Sequence, residues 1–255
     1  MLEYFDSHSH LNLSPLREEK EKIIAELARE KIGTITVGTD FQTSREAIEI
    51  AKNNPNIWAT VGLHPTDSNE EFDYEKFKLL ASESKVVAIG ECGLDYFHPG
   101  DKEKQKEIFL KQIQLANEVK KPLMIHCRPS KRTVDAYRDL ISILKDYPST
   151  KANMHFFGGN LEIAKELLEL GFTISFAGPI TFVPDYDKVI EYLPLDMILS
   201  ETDAPFAAPT PFRGRTCYPY YVKEVVKKIA EVKKLDLEEV KKQLVANVRR
   251  VFMKF

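Results

Sequence analysis

LEYFDSHSHLN, residues 2–12, passes from a short apolar run directly into two histidines on alternate positions. The apolar opening reads as a β-strand. The residues after it decide between two α/β architectures. A doubly wound open sheet usually carries a glycine-rich phosphate loop after its first strand, and here that place is taken by HSHLN. A (β/α)8 barrel instead gathers its functional groups at the C-terminal ends of its strands, which is where His8 and His10 fall. Side chains two apart on a strand share a face. Both imidazoles are therefore expected to point inward, along the barrel axis, where they can clamp one ion.

Working outward, the same unit recurs. Further β-branched or apolar runs stand at 34–38, 57–63, 86–90, 122–127, 152–157, 172–178 and 197–200. Segments with helical spacing lie between them, such as 18–30, 103–121 and 160–171, the last closing on Gly171 as a C-cap. Two more helices come after the eighth run, at 220–234 and 237–252, with Asp236 as N-cap of the second. Strands alternating with helices predict a parallel sheet. A closed barrel takes about 250 residues, and the chain has 255. The expected fold is α/β, a (β/α)8 TIM barrel with an additional C-terminal helix, as one domain over 1–255 without linkers or repeats.

Polar residues collect at the ends of these runs. Besides His8 and His10 they are His64 (GLHP), Glu91 (IGECGLD), His126 and Arg128 (MIHCR), His155 (NMHFF), and Glu201 and Asp203 (SETDAP). Of the six histidines only His98 lies elsewhere. Buried ionisable groups are costly unless paired or metal-bound. Imidazole with carboxylate suits zinc, manganese, nickel or iron better than magnesium or calcium. Six candidate ligands exceed one tetrahedral shell, whereas two ions about 3.5–4 Å apart would use them all. The assignment is His8, His10 and Asp203 on one ion, His126 and His155 on a second, and Glu91 shared. Asp6 reads as structural. Glu201, two residues before Asp203, either steadies a ligand or packs in a lower layer. If Glu91 and His126 point inward, Cys92 and Cys127 point out into the helix layer, as core residues and not ligands.

The bulk properties narrow the partners. Net charge is −3 and the isoelectric point about 6.1, so no global basic field holds nucleic acid. No apolar run reaches membrane-spanning length, and the first residues lack the charged start and apolar stretch expected of a secretion signal. Three widely spaced cysteines fit a reducing cytosol and no disulfide framework. A cytoplasmic protein without membrane partners, working as a monomer, is expected.

The ordered set DSHSHL, VGLHP, AIGECGLDY, PLMIHCR, MHFFGG, TISFAGPITF, LSETDAP and NVRRVF resembles the TatD family of metal-dependent deoxyribonucleases, which are amidohydrolase-type TIM-barrel hydrolases. The resemblance spans residue 6 to about 252. It implies two divalent ions (zinc, manganese, nickel or magnesium) and hydrolysis of DNA phosphodiesters, commonly from a 3′ single-stranded end. The implied ligands are the same six residues. Two stretches depart from the family pattern: Cys217-Tyr218-Pro219, where Asn-Glu-Pro is usual, and Pro129-Ser130, where an acid and alanine often stand. Both bear on substrate preference.

On this reading Asp203 orients and deprotonates the attacking water and Glu91 sets the spacing of the ions. His64 and Arg128 hold phosphate oxygens. Tyr96 and Phe97 are candidates to stack a terminal base. Two rivals stand beside it. One is a metal-dependent hydrolase of a small ester, lactone, amide or phosphoester; many of these bridge their ions with a carboxylated lysine where Glu91 stands here. The other is a non-catalytic binding barrel, against which the complete ligand set argues.

Overall fold

The computed structural model describes residues 2–253. Eight parallel strands pair in chain order: β1 (Tyr4–Ser9), β2 (Ile32–Val37), β3 (Ile57–Val61), β4 (Val86–Asp95), β5 (Leu123–Arg128), β6 (Ala152–Met154), β7 (Thr173–Phe176) and β8 (Ile198–Ser200). Helices α1 (Leu16–Arg29), α2 (Phe41–Lys52), α3 (Tyr74–Ala81), α4 (Lys102–Glu118), α5 (Asp135–Lys145), α6 (Leu161–Glu169) and α7 (Asp187–Tyr192) fill the seven crossovers. The ring closes where β8 returns to β1, through a bridge between Ser9 and Ala204 and bonds from Ser7 Oγ to Ser200 O and from Ser200 Oγ to Phe5 O. This is the expected TIM barrel.

Two helices come after β8: α8 (Val222–Lys233), which completes the eighth unit, and α9 (Leu237–Phe252), the extra one. The Asp236 carboxylate accepts the N–H groups of Glu238 and Glu239, capping α9 as its sequence predicts. Gly171 stands just past α6 with φ +78°, a conformation that favours glycine. Val245, Val248 and Phe252 of α9 pack with Phe5, Ile35, Val87, Met124 and Leu199 from five different strands. Only the barrel interior gathers such a set, so α9 covers the floor, opposite the strand ends that carry the histidines.

Two strands run further than their apolar residues suggest. β1 extends to Ser9 and β4 to Asp95, so His8 and Glu91 lie within strands and not beyond them. Polar ligands interrupt the apolar pattern without interrupting the ladder. Register slips in β1 between Asp6 and Ser9 and in β4 between Ile89 and Cys92. The first slip lets Phe5 and His8, three residues apart, both face the interior. Among the described residues no helix is long and apolar enough to cross a membrane.

Candidate metal centre

Glu91 stands at the middle of the mouth, buried, with its two oxygens serving two different groups of side chains. Oε2 faces the Nε2 atoms of His8 at 3.4 Å and His10 at 3.7 Å. Oε1 faces His126 Nδ1 at 2.9 Å, His155 Nε2 at 3.2 Å and His64 Nε2 at 3.3 Å. Asp203 joins the first group, with Oδ1 3.6 Å from His8 Nε2 and 3.3 Å from His10 Nε2. The six expected ligands thus meet at one place, from β1 and the residue just beyond it, β4, β5 and the segments just beyond β6 and β8.

The spacing of the first group tests whether an ion fits. Donors about 2.1 Å from a tetrahedral ion lie about 3.4 Å from one another. The two imidazole nitrogens are 3.1 Å apart, and their four distances to Glu91 and Asp203 run from 3.3 to 3.7 Å. His8 also buries Nδ1 with no hydrogen-bond partner among the described residues.

The far nitrogens of the other rings decide which can ligate. A neutral imidazole has one N–H and one lone pair, and the partner of one nitrogen sets the role of the other. His10 Nδ1 lies 3.2 Å from the Val37 carbonyl, His155 Nδ1 3.1 Å from Glu201 Oε1, and His126 Nε2 3.1 Å from Asp95 Oδ2. All three partners are acceptors, so each ring turns its lone pair toward Glu91 or Asp203. His64 is the reverse. Its Nδ1 accepts the backbone N–H of Thr66 at 3.2 Å, which leaves the Nε2 proton aimed at Glu91. His64 is built to donate at the site, although it stands as near Glu91 Oε1 as His155 does.

Charge is set by this packing. Burial pushes the Glu91 carboxyl up, but His64, His155 and His8 around it hold it well below the usual carboxylate range. Burial likewise opposes ionisation of Asp203, and His10 in its protonated form, donating from both nitrogens, lowers it together with the charges of His155 and His8. Burial disfavours a charged His155, yet Glu201 and Glu91 on its two nitrogens raise it well above the usual histidine range. Ionised carboxylates at the centre of a buried imidazole cluster call for cations, and without an ion protons take that part.

Two supporting carboxylates complete the centre. Glu201 accepts from His155 Nδ1, from the Phe156 N–H at 2.6 Å and from Ser175 Oγ at 2.6 Å. It holds the candidate ligand His155, and its oxygens are occupied by those donors although they also lie close to His8. Asp95 escapes a sequence reading that ends the fourth run at Gly90. Its signal is the period of two, which puts it on the face of Glu91 once the strand is known to reach it. Asp6 bonds Thr202 through its N–H (2.8 Å) and hydroxyl (2.7 Å), tying β1 to the chain after β8. Cys92 and Cys127 are buried in the helix-side core.

Two outlying expectations separate. Arg128 is exposed at the rim with its guanidinium 4.0 Å from the Phe97 ring centroid. Tyr96 does not stand beside it. That side chain is only 7 % exposed, its hydroxyl donates to Asp139 Oδ2 at 2.8 Å, and Lys102 lies over its ring. Successive residues leaving a strand point opposite ways, and Tyr96 turns into the helix layer while Phe97 turns to the mouth. A stacking role for Tyr96 is corrected on that ground.

Comparison with known proteins shows the family. The sequence signature of the family described as TatD related DNase matches residues 5–253. The chain is 40% identical over 256 residues to "Uncharacterized metal-dependent hydrolase YabD" of Bacillus subtilis (strain 168), covering 97% of this chain and 98% of that one. It is 34% identical over 256 residues to "Uncharacterized metal-dependent hydrolase YcfH" of Escherichia coli (strain K12), covering 97% and 94%. The crystal structure of YjjV, a TatD homolog from Escherichia coli K12, superimposes with a TM-score of 0.89 at 28% identity over 98% of both chains. The phosphotriesterase homology protein from Escherichia coli, at 14% identity and a TM-score of 0.64 over 98% of both chains, shares the fold. With a barrel, a convergent imidazole–carboxylate cluster and a family match over nearly its whole length, the chain belongs to the TatD family of metal-dependent hydrolases.

Proposed function

We propose that the chain, acting as one domain, is a two-ion deoxyribonuclease that removes nucleotides from single-stranded DNA ends in the 3′ to 5′ direction in the cytosol. The observation that carries this reading is the division of Glu91, whose Oε2 faces the His8–His10 nitrogens and whose Oε1 faces those of His126 and His155. A carboxylate shared between two nitrogen groups suits a bridge between two cations. His8, His10 and Asp203 would hold one, His126 and His155 the other. When bound, such ions lower the pKa of a water and neutralise phosphate charge.

The protein's own groups do the rest. In the reaction a water oxygen bonds to phosphorus while the P–O bond to the departing nucleotide breaks. Asp203 orients the water and takes its proton, and solvent protonates the leaving oxygen. His64 presents the Nε2 proton to a phosphate oxygen, as its bond from Thr66 supports. Arg128 lays one face on Phe97 and keeps its N–H edge for the backbone of the strand.

Digestion of end-labelled single- and double-stranded DNA, with EDTA or with added Mn²⁺, Zn²⁺, Ni²⁺ or Mg²⁺, tests the proposal. Expected are stepwise loss from the 3′ end of single strands, abolition by EDTA, and two metal equivalents per chain. Intact DNA alongside turnover of small esters or lactones would overturn it. His64→Ala should retain both equivalents and lose turnover; loss of one equivalent would make His64 a ligand.

A further inference from the structure

Two phenylalanines stand exposed at the barrel mouth, Phe97 at 48 % and Phe206 at 52 %. Phe97 lies just past β4, and Phe206 lies on the segment after β8, beyond the Ala204 bridge to Ser9. In a ring of eight strands in sequence order these positions are four strands apart, on opposite rims. The ligand cluster lies between them. Phe206 meets His10 edge-on, with ring centroids 6.0 Å apart. Phe97 carries Arg128 on one face.

Both rings ride on turns tied to the centre itself. Asp95, which holds His126 through Oδ2, accepts the Phe97 N–H through Oδ1 at 2.9 Å. The Phe206 N–H donates to the carbonyl of Asp203 at 2.9 Å. Beyond Phe206 the turn is wedged by Gly178, where an added Cβ would lie 2.0 Å from Ala207 O. The two apolar surfaces are therefore held at set positions relative to the candidate ligands. Each rim also has an arginine lying on a phenylalanine ring, Arg128 on Phe97 and Arg213 on Phe182, the latter at 4.2 Å. Aromatic faces beside backbone-seeking cations suit an unpaired nucleic-acid strand, whose bases can stack while its phosphates meet the arginines. A duplex hides its base faces in its own stack.

The geometry points to Phe97 and Phe206 as stacking platforms for the bases on either side of the scissile phosphate, which makes the substrate a single strand bound across the whole mouth. This rests on the phosphodiesterase reading above and adds the two-sided grip on unpaired bases.

The test compares Phe97→Ala and Phe206→Ala with wild type, metal-loaded, on a single-stranded oligonucleotide and on the same strand made abasic at the two nucleotides flanking the cleaved bond. Each variant is expected to raise KM on the normal strand by roughly tenfold, the order of one stacked base. That penalty should shrink toward nothing on the abasic strand, which wild type itself should bind more weakly. Phe206→Trp should restore KM. Tyr192→Ala, an exposed aromatic on α7 at the other end of the barrel, should leave KM alone, and metal content with circular dichroism should match wild type throughout. Normal KM in both alanine variants on the normal strand would overturn the platforms while leaving the nuclease standing. A wild type that cuts neither strand would remove the nuclease reading, and the platforms with it.

Discussion

Glu91 and Asp203 are both held toward the ionised form in a buried site, and the neighbouring carboxylates Glu201 and Asp95 are already committed to donors of their own. Glu91→Ala or Asp203→Ala should lower metal-dependent turnover by about 10³-fold or more while circular dichroism stays native; activity near wild type would refute the assigned roles. Glu201→Gln keeps the shape but not the charge on His155 Nδ1. Loss of such a supporting partner typically weakens metal binding about 10–100-fold, which titration with a competing chelator would read. The thiols should be silent. Burial pushes Cys92 and Cys127 well above the ordinary thiol range, and Cys217 also rises. Native protein should show no prompt reaction with a disulfide reagent, and denatured protein should show three thiols. At this scale the sequence was legible where a strand's period of two did the pointing, as for His8 and His10. It was silent where an effect depends on one backbone group. The proton of His64 is placed by the N–H of Thr66, which no spacing rule announces. Tyr96 and Phe97 are adjacent and equally aromatic, and only the end of β4 determines which reaches the mouth.

Strands and helices were easier to read than their ends. Caps at Asp236 and Gly171 arise from chemistry that acts within a turn. The extension of β4 to Asp95 did not, because Glu91 and Gly93 break the apolar run and the ladder to β5 is a long-range contact. The loops after β7 and β8 show what such contacts impose. Gly178 sits where any side chain would strike Ala207 O at 2.0 Å and Pro209 N at 2.8 Å, both backbone atoms. Gly178→Ala must therefore displace the segment that carries Asp203 and Phe206. A shift of about 1 Å in a reacting group costs on the order of 100-fold in rate, and overpacking costs about 1–3 kcal/mol in stability. Kinetics and urea unfolding of that variant should show both; wild-type kinetics would mean the loop relaxes without moving the site.

The whole molecule separates its chemistry from its foundations. The candidate ligands crowd one end of the barrel, and α9 packs Val245, Val248 and Phe252 against the interior at the other. Phe252→Ala should cost about 3–5 kcal/mol of stability with little change in kcat, measured by denaturant unfolding beside steady-state kinetics; a lost kcat with unchanged stability would contradict this division. Barrel architecture was readable from strand count and length, whereas the use of the last helix as a floor was not, since its apolar stripe matches any packed helix. That floor has a mechanical consequence. Packed interior side chains and that floor close the barrel below the mouth, so whatever reaches the candidate site must leave by the way it came. A polymer cannot be threaded through, and under the proposed function each cleaved unit would have to clear the same doorway before the remaining strand could settle again.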